Sequence, residues 1–276
     1  MMLPLKDIRV VSLAINVPGP VAAAGLLELG ASIVKVEPPT GDPLVEYSPE
    51  WYRKLVQGQK VITLNLKEVG QREKFDVLLA QSDLLITSMR PQALERLNLT
   101  WLHLHKQFPN LSQISIIGYE TPRENSSGHD LTYQAKAGLI APPYFPRTLI
   151  ADLAAAEKVI STALGFILGC QRGQPATFSQ ISIESVIKGF TAPLDYGLTG
   201  TNGLLGGASA FYNIYRTAQG WIAVAALEPH FLNKLIKQLG LVEIRYEDLQ
   251  DVFLTRTANE WESWAQAYDI PISALS

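Results

Sequence analysis

Short apolar runs alternate with amphipathic segments over the first two hundred residues. "IRVVSLAI" (residues 8–15) and "ASIVKVE" (residues 31–37) are rich in β-branched residues, which is typical of strands buried on both faces. Between them, "VAAAGLLELG" (residues 21–30) has the pattern of a helix that stops at a glycine. A strand, a helix and a second strand in this order predict two parallel strands joined by a crossover.

The same alternation continues along the chain and predicts a doubly wound α/β fold with a parallel sheet. The further predicted strands are residues 61–66, 83–87, 111–119 and 176–183, and the predicted helices are residues 71–81, 94–106, 152–171 and, in part, 184–198.

The pattern changes near residue 199. "TGTNGLLGGAS" has four glycines in eleven residues and is typical of a linker or a mobile loop. Two strands around a turn at Gly220 follow, and then helices at residues 229–240 and 257–268. The sequence therefore predicts a large α/β domain over residues 1–199 and a small α+β domain over residues 200–276.

Composition and charge exclude some classes of protein. A net charge of −3 gives no basic face for nucleic acid. The single cysteine, Cys170, excludes an intrachain disulfide and is expected to be a buried small hydrophobe. The N-terminus does not resemble a secretory signal, and the longest apolar stretch, near residues 160–170, is too short for a bilayer. We expect a cytoplasmic protein without membrane contact.

Common cofactor and metal motifs are missing. The turn "NVPGP" after the first strand lacks the G-x-G-x-x-G pattern of dinucleotide sites, and no P-loop occurs. Four histidines and one cysteine show no zinc-type spacing. Neither a metal nor a separate cofactor is expected. His103, His105 and His230 are interpreted as surface or internally satisfied histidines.

Three ionisable residues are candidates for acid/base chemistry, and each has a structural alternative. His129 follows a glycine at the start of a helix predicted from Leu131, which Ser127 or Asp130 would cap. Asp152 precedes a long helix and is an N-cap candidate too. Glu228 ends an apolar strand just before Pro229, where an acid would also stabilise a helix start.

Taken together, these segments resemble class III CoA-transferases of the CaiB/BaiF type, and within them the α-methylacyl-CoA racemases. The resemblance begins with "KDIRVVSLAINVPGPVAAAGLLELGASIVKVEPPTGDP" and continues through "GQKVITLNLK", "SDLLITSMRPQALERLNL" and "NLSQISIIGY". The racemase branch is indicated by "GHD", "GGASAFYNIYRTAQG" and "AVAALEPHF".

The resemblance implies a homodimer of two interlocked chains, in which CoA lies mainly on the large domain. It assigns His129 as the base on one face of the substrate and Asp152 as the acid/base group on the other, with Glu228 sharing a proton with Asp152. The binding residues that it implies for the CoA thioester, or that adjoin the matched motifs, are Arg90, Lys60, Lys35, Asp130 and Tyr133, with the backbone N–H beside Asp130 as an oxyanion donor.

The chain departs from the family pattern at several points. Alanines stand at residues 154–156 where glycines are usual, Pro38 replaces a basic residue, and the sequence stops soon after a motif that normally precedes a long return segment. Three functions therefore stay open. They are a racemase or epimerase of lipid metabolism that moves the α-proton of a 2-methylacyl-CoA, a CoA-transferase with Asp152 as acyl carrier, and a non-catalytic binding or assembly subunit.

Overall fold

The computed structural model describes residues 3–242 and 245–275. The chain divides into two compact units, Met1–Phe190 and Thr191–Ser276. The division falls earlier than the predicted boundary after residue 199. The reason is local: the N–H of Leu205 donates to the carbonyl of Leu198 at 2.9 Å, which joins the residues before 199 to the glycine-rich segment that follows.

The first unit alternates strands and helices as predicted, and it has three more helices than the sequence pattern predicted. Its elements are β1 (Arg9–Ser12), α1 (Pro18–Glu28), β2 (Ser32–Glu37), α2 (Leu44–Tyr47), α3 (Pro49–Val56), β3 (Lys60–Thr63), α4 (Val69–Ala80), β4 (Leu84–Thr87), α5 (Pro91–Arg96), α6 (Trp101–Gln107), β5 (Ser112–Ile117), α7 (Asp130–Lys136), α8 (Ile150–Gln171), β6 (Phe178–Ser182) and α9 (Ile183–Gly189).

The six strands of this unit form one parallel sheet in the order β3-β2-β1-β4-β5-β6. Helices cover both faces. Val10 of β1 packs into the core on one face with α1 and α8, and Val11 packs into the core on the other face with α4. This alternation explains why the two middle residues of β1 are both apolar. The predicted doubly wound α/β fold is confirmed.

Two predictions about local structure were wrong. The helix expected over residues 94–106 is broken into α5 and α6 at Asn98, whose positive φ of 52° ends the first helix. The helix predicted over residues 152–171 already begins at Ile150, so Asp152 does not lie ahead of it.

Helix α8 corrects two further expectations. It has 22 residues, and by length and composition alone it is apolar enough to cross a membrane, with one third of its most apolar stretch buried in the unit. The apolar stretch read from the sequence, near residues 160–170, is shorter than this helix because α8 already begins at Ile150. Cys170, near its end, is exposed and not buried.

The second unit contains an antiparallel sheet, in which the strands at residues 212–216, 221–225 and 272–274 lie side by side in this order, and several helices around an apolar core. Trp261 and Tyr215 are fully buried in that core. The elements are α10 (Ala192–Asp195), a glycine-rich turn of helix over Leu204–Ala208, β7 (Tyr212–Arg216), β8 (Trp221–Ala225), α11 (Pro229–Leu239), α12 (Tyr246–Phe253), α13 (Ala258–Tyr268) and β9 (Ile272–Ala274).

Candidate active site

A cleft of about 260 Å³ opens in the first unit where β1 and β4 lie side by side. The order of the strands reverses between these two, and parallel sheets bind ligands at such switch points, beyond the carboxyl ends of the strands. The segments after β1 and β4 both line the cleft, with residues from the starts of α7 and α8. We call this space the switch-point cleft; its polar lining includes Asn16, Arg90, Glu124, His129, Tyr133 and Asp152.

His129 lies at the mouth of the switch-point cleft and occupies the N-cap position of α7. The imidazole is exposed. The backbone holds it in place, because its N–H donates to Oγ1 of Thr132 at 3.1 Å. A side chain at the preceding Gly128 would place its Cβ 2.6 Å from the hydroxyl of Tyr133, so glycine is required for this approach. His129 thus lies at a helix start, as the sequence predicts, and its catalytic role stays a prediction.

Asp152 lines the same cleft from the first turn of α8. It is the third helical residue and not the N-cap, which is Leu149. The capping alternative therefore does not describe Asp152. Burial, first, and the nearby charge of Asp130, second, raise the pKa of its carboxyl to about 7. A carboxyl with this pKa both donates and accepts a proton near neutral pH.

Asp130 caps α8, a role for which the sequence pattern suggested Asp152. Its side chain is only 4% exposed. Oδ1 accepts hydrogen bonds from the backbone N–H of Ala151 at 2.9 Å and of Asp152 at 3.0 Å. Asp130 thus caps α8 and not α7. The prediction that Ser127 or Asp130 caps α7 is wrong, because His129 occupies that N-cap position. Its buried carboxylate is used inside the protein, so any contact with the substrate is left to its backbone.

Tyr133 forms part of the wall of the switch-point cleft. The ring is buried and meets Tyr119 edge to face, with the ring centroids 5.2 Å apart. Its hydroxyl fills the space beside Gly118 and Gly128, where neither glycine has room for a Cβ. Burial raises the pKa of the phenol above its ordinary value, so the hydroxyl stays protonated.

The predicted basic residues have different positions. Arg90 is exposed, lies at the N-cap of α5 and contributes a positive charge to the cleft. Lys60 is exposed at the start of β3 and does not line the cleft. Lys35 is fully buried, with its ammonium 2.8 Å from Asp42 Oδ2 and 3.1 Å from the carbonyl of Ala14. Lys35 was expected to contact the ligand. Because it is fully buried against Asp42, it is a structural residue instead.

The pair of Lys35 and Asp42 supports the turn that forms one wall of the cleft. Oδ1 of Asp42 accepts a hydrogen bond from the N–H of Asn16 at 2.9 Å. Asn16 has a positive φ of 67°, a conformation in which asparagine is favoured among residues with a side chain. The neighbouring Ile15 donates its N–H to Oγ of Ser88, the residue after β4, at 3.0 Å, and this hydrogen bond holds the same turn.

Sequence reasoning missed this turn and one carboxyl group. The motif "NVPGP" had been tested only for phosphate binding, although Asn before a proline-rich helix start signals a special turn. Glu124 also lines the cleft and has a buried Oε2 without a hydrogen-bond partner among the described residues. No pattern in its polar surroundings distinguishes Glu124 from an ordinary loop residue.

A second cavity of about 360 Å³ adjoins the first, with Met89 in the walls of both. Its lining is mostly apolar and comes from the ends of β1, β2 and β3, including Leu13, Val36 and Leu64. Pro38 stands in this wall, so the replacement noted in the sequence makes the cavity less basic. Lys67 remains as the cationic residue of its lining.

Glu228 belongs to the second unit. It is exposed and occupies the N-cap position of α11, where its carbonyl accepts from the N–H of Leu232 at 3.0 Å. The side chain makes no capping hydrogen bond. The capping alternative therefore explains the position of Glu228 but not its carboxylate, and a role in the site stays a prediction.

Comparisons with known proteins place this architecture in a family. Residues 5–276 match the model of CoA-transferase family III. The chain is 30% identical to human alpha-methylacyl-CoA racemase over 291 residues, covering 93% of this chain and 74% of the racemase. It is 28% identical to succinyl-CoA–D-citramalate CoA-transferase of Chloroflexus aurantiacus over 267 residues, covering 87% of this chain and 66% of the transferase.

A solved structure has the same fold. The crystal structure of hypothetical protein Rv3272 from Mycobacterium tuberculosis superimposes with a TM-score of 0.85 at 26% identity, covering 98% of this chain and 83% of that one. Fold and sequence therefore define an α/β protein of the CaiB/BaiF type. The chain belongs to CoA-transferase family III, whose members named above include a racemase and a CoA-transferase.

Proposed function

We propose that the protein is an acyl-CoA racemase or epimerase that moves the α-proton of a 2-methylacyl-CoA thioester. The observation that carries this proposal is the meeting of His129 and Asp152 in one cleft, with burial raising the pKa of Asp152 to about 7. Racemisation needs a proton acceptor on one face of the α-carbon and a proton donor on the other. An imidazole and a carboxyl that titrates near neutrality provide such a pair.

The enolate that forms during proton removal needs hydrogen-bond donors at its oxygen. The N–H of Asp130, the first residue of α7, has no hydrogen-bond partner among the described residues. A backbone N–H at a helix start carries partial positive charge and suits a developing oxyanion. We assign this N–H to the thioester oxygen, which would bring the α-carbon next to the imidazole of His129.

The remaining assignments follow from the cleft and from the resemblance. Arg90 provides the positive charge for the CoA part of the substrate, and the reaction needs neither a metal nor a separate cofactor. Glu228 is proposed as a further acid/base residue.

We also propose a cytoplasmic homodimer that acts in lipid metabolism. Light scattering of the purified protein tests the dimer, and a mass of about 30 kDa would contradict it.

A CoA-transferase is the second candidate, because the transferase from Chloroflexus aurantiacus is nearly as similar to this chain as the racemase is. In that reaction the carboxylate of Asp152 would attack the thioester carbonyl, expel the CoA thiolate and hold the acyl group as an anhydride. The thiolate would then attack the carbonyl of Asp152 in this anhydride, which releases the free acid and leaves an aspartyl-CoA thioester. A raised pKa is compatible with this role as well, since at pH 7 about half of the carboxyl groups are ionised and able to attack.

One incubation separates the candidates. The protein is mixed with a 2-methylacyl-CoA in deuterium oxide, with and without an acceptor carboxylic acid. Deuterium at the α-carbon without any acceptor supports the racemase. Transfer of CoA to the acid, lost in Asp152→Asn, supports the transferase. Neither reaction, together with no binding of CoA, would assign the chain to the non-catalytic alternative.

Control variants show whether a loss of activity is specific. Glu157 is exposed on α8, the helix that carries Asp152, so Glu157→Gln removes a carboxylate outside the cleft. His103 is exposed on α6, so His103→Ala removes an imidazole far from α7 in sequence. Both controls are expected to keep the wild-type rate.

A further inference from the structure

Asp130 connects the two helix starts that carry the proposed acid/base pair. It is the first residue of α7, directly after His129, and its Oδ1 accepts from the N–H groups of Ala151 and Asp152 at 2.9 and 3.0 Å. The same atom therefore satisfies two of the N–H groups that a helix start leaves unpaired. Since Leu149 provides no capping side chain, Asp130 is the cap of α8.

The other oxygen of Asp130 is held as well. Oδ2 accepts a hydrogen bond from Nε2 of Gln134, one turn further along α7, and the same nitrogen donates to the carbonyl of Thr148 at 3.0 Å. Gln134 is only 2% exposed. The carboxylate thus lies in a closed, water-poor setting, where electrostatic interactions are strong.

We propose that Asp130 is a positioning residue that fixes the backbone of Asp152 beside His129 and, through its buried negative charge, disfavours a second negative charge on the Asp152 carboxyl. The first effect follows from the two hydrogen bonds, because moving Asp152 would leave a buried carboxylate unsatisfied. The second follows from proximity, because two negative charges on neighbouring groups disfavour ionisation of one of them. Burial of Asp152 acts in the same direction and is the larger cause of its raised pKa.

Other charged groups near α8 also influence the titration of Asp152, and the test must distinguish their influence from that of Asp130. Those in the switch-point cleft are Arg90, Glu124, His129 and Tyr133. The helices packed against α8 carry Glu28 on α1, Lys136 on α7, and Glu184 and Lys188 on α9. A substitution at Asp130 leaves all of them in place, so a change in the titration of Asp152 is assignable to Asp130.

The inference rests on the proposed function only for its consequence in catalysis, and its test uses a readout that does not depend on the reaction. The side-chain carboxyl of Asp152 is followed by carbon-13 NMR in the full-length protein between pH 4 and 9, with Asp152→Asn to assign the signal. In Asp130→Asn the new amide oxygen still accepts from α8, but the charge is gone. The midpoint of the pH titration of the Asp152 carboxyl is expected to fall by about one pH unit.

Two further variants keep the result interpretable. Gln134→Met removes the partner of Asp130 Oδ2 without removing charge, and the midpoint of Asp152 is expected to stay within about 0.3 of a unit of wild type. Asp130→Ser is a second uncharged variant whose hydroxyl can cap α8. It covers the case in which the asparagine variant does not fold.

Activity gives the second readout. In Asp130→Asn the KM for the thioester is expected to stay near wild type, because the carboxylate does not line the cleft, while the pH limb of kcat that reports Asp152 moves down with the NMR midpoint. An unchanged midpoint in both uncharged variants would overturn the proposal, whatever the activity. A shifted midpoint in a protein that exchanges no α-proton would leave this proposal standing and refute the proposed function instead.

Discussion

The ammonium of Lys35 lies 2.8 Å from Oδ2 of Asp42, and both side chains are almost completely buried beside the switch-point cleft. Asp42 at the same time accepts from the N–H of Asn16 and of Leu44. A charged pair inside the protein therefore holds the turn after β1 in the shape that lines the cleft. Lys35 therefore stabilises a wall of the cleft from inside the protein.

Breaking this pair should strongly destabilise the first unit. In Asp42→Ala the ammonium of Lys35 stays buried with only Glu37 Oε1, 3.5 Å away, as a charged partner, and we expect a loss of about 3 kcal/mol in the free energy of unfolding. Urea denaturation measures it. The control is Arg53→Met, which breaks the exposed pair with Glu50 at 3.9 Å and should change stability by less than about 1 kcal/mol. Equal effects of the two substitutions would contradict the structural role.

Gly128 is predicted to be essential for the position of His129. In Gly128→Ala the new Cβ would meet the hydroxyl of Tyr133 at 2.6 Å, so the loop before α7 must shift. We expect α-proton exchange to slow by about ten- to a hundredfold, because small displacements of catalytic groups have large effects on rate. Gly165→Ala on α8 is the control, since nothing lies within 4 Å of its new Cβ. Normal activity of Gly128→Ala would show that the contact is unimportant.

The titration of Asp152 predicts how stability depends on pH. Its pKa is raised from 3.8 to about 7 in the folded protein, so between pH 4 and 7 the folded state binds more protons than the unfolded chain. Stability is therefore lost as the pH rises through this window, by an amount on the order of 4 kcal/mol at most. Asp152→Asn should remove this loss.

The check is a comparison of unfolding free energies at pH 4 and pH 8. Asp152→Asn is expected to be more stable than the wild type at pH 8 by a few kcal/mol, and close to it at pH 4. Glu157→Gln, with its exposed carboxyl, should show no such difference between the two pH values. If Asp152→Asn destabilised the protein equally at both, the carboxyl would not be protonated in the folded state near neutral pH.

Arg90 and Lys60 are expected to differ in their effect on substrate binding. Arg90 lines the cleft and Lys60 does not. Removing a charged hydrogen-bond donor in Arg90→Met should raise the KM for the CoA thioester about tenfold, with little change in kcat. Steady-state kinetics of Lys60→Met should give a smaller rise. A larger rise in KM for Lys60→Met than for Arg90→Met would place the CoA-binding site near β3 instead.

The sequence predicts much of this fold because its strands are buried on both faces, and their apolar runs stand out from the amphipathic helices between them. Residues 31–37 and 83–87 were located to within one residue at each end for this reason. Asn98 shows the limit: its left-handed backbone breaks a segment whose apolar spacing resembles one continuous helix.

The candidate site was predictable only in part. The resemblance located His129 and Asp152, which line the same cleft. The roles of Asp130 and Lys35 depend on hydrogen bonds between segments distant in sequence, and local patterns carry no signal of such partners. Lys35 looks like a strand residue that could reach a ligand until Asp42 is placed against it. Capping of α8 by Asp130 spans 21 and 22 residues and is invisible for the same reason.

The most direct test of the central claim is the stereochemistry of α-proton exchange in deuterium oxide, measured separately from the two enantiomers of one 2-methylacyl-CoA. If His129 and Asp152 act on opposite faces of the α-carbon, His129→Ala slows exchange mainly from one enantiomer and Asp152→Asn mainly from the other. Equal slowing of both enantiomers by each variant, or no slowing at all, would contradict the account.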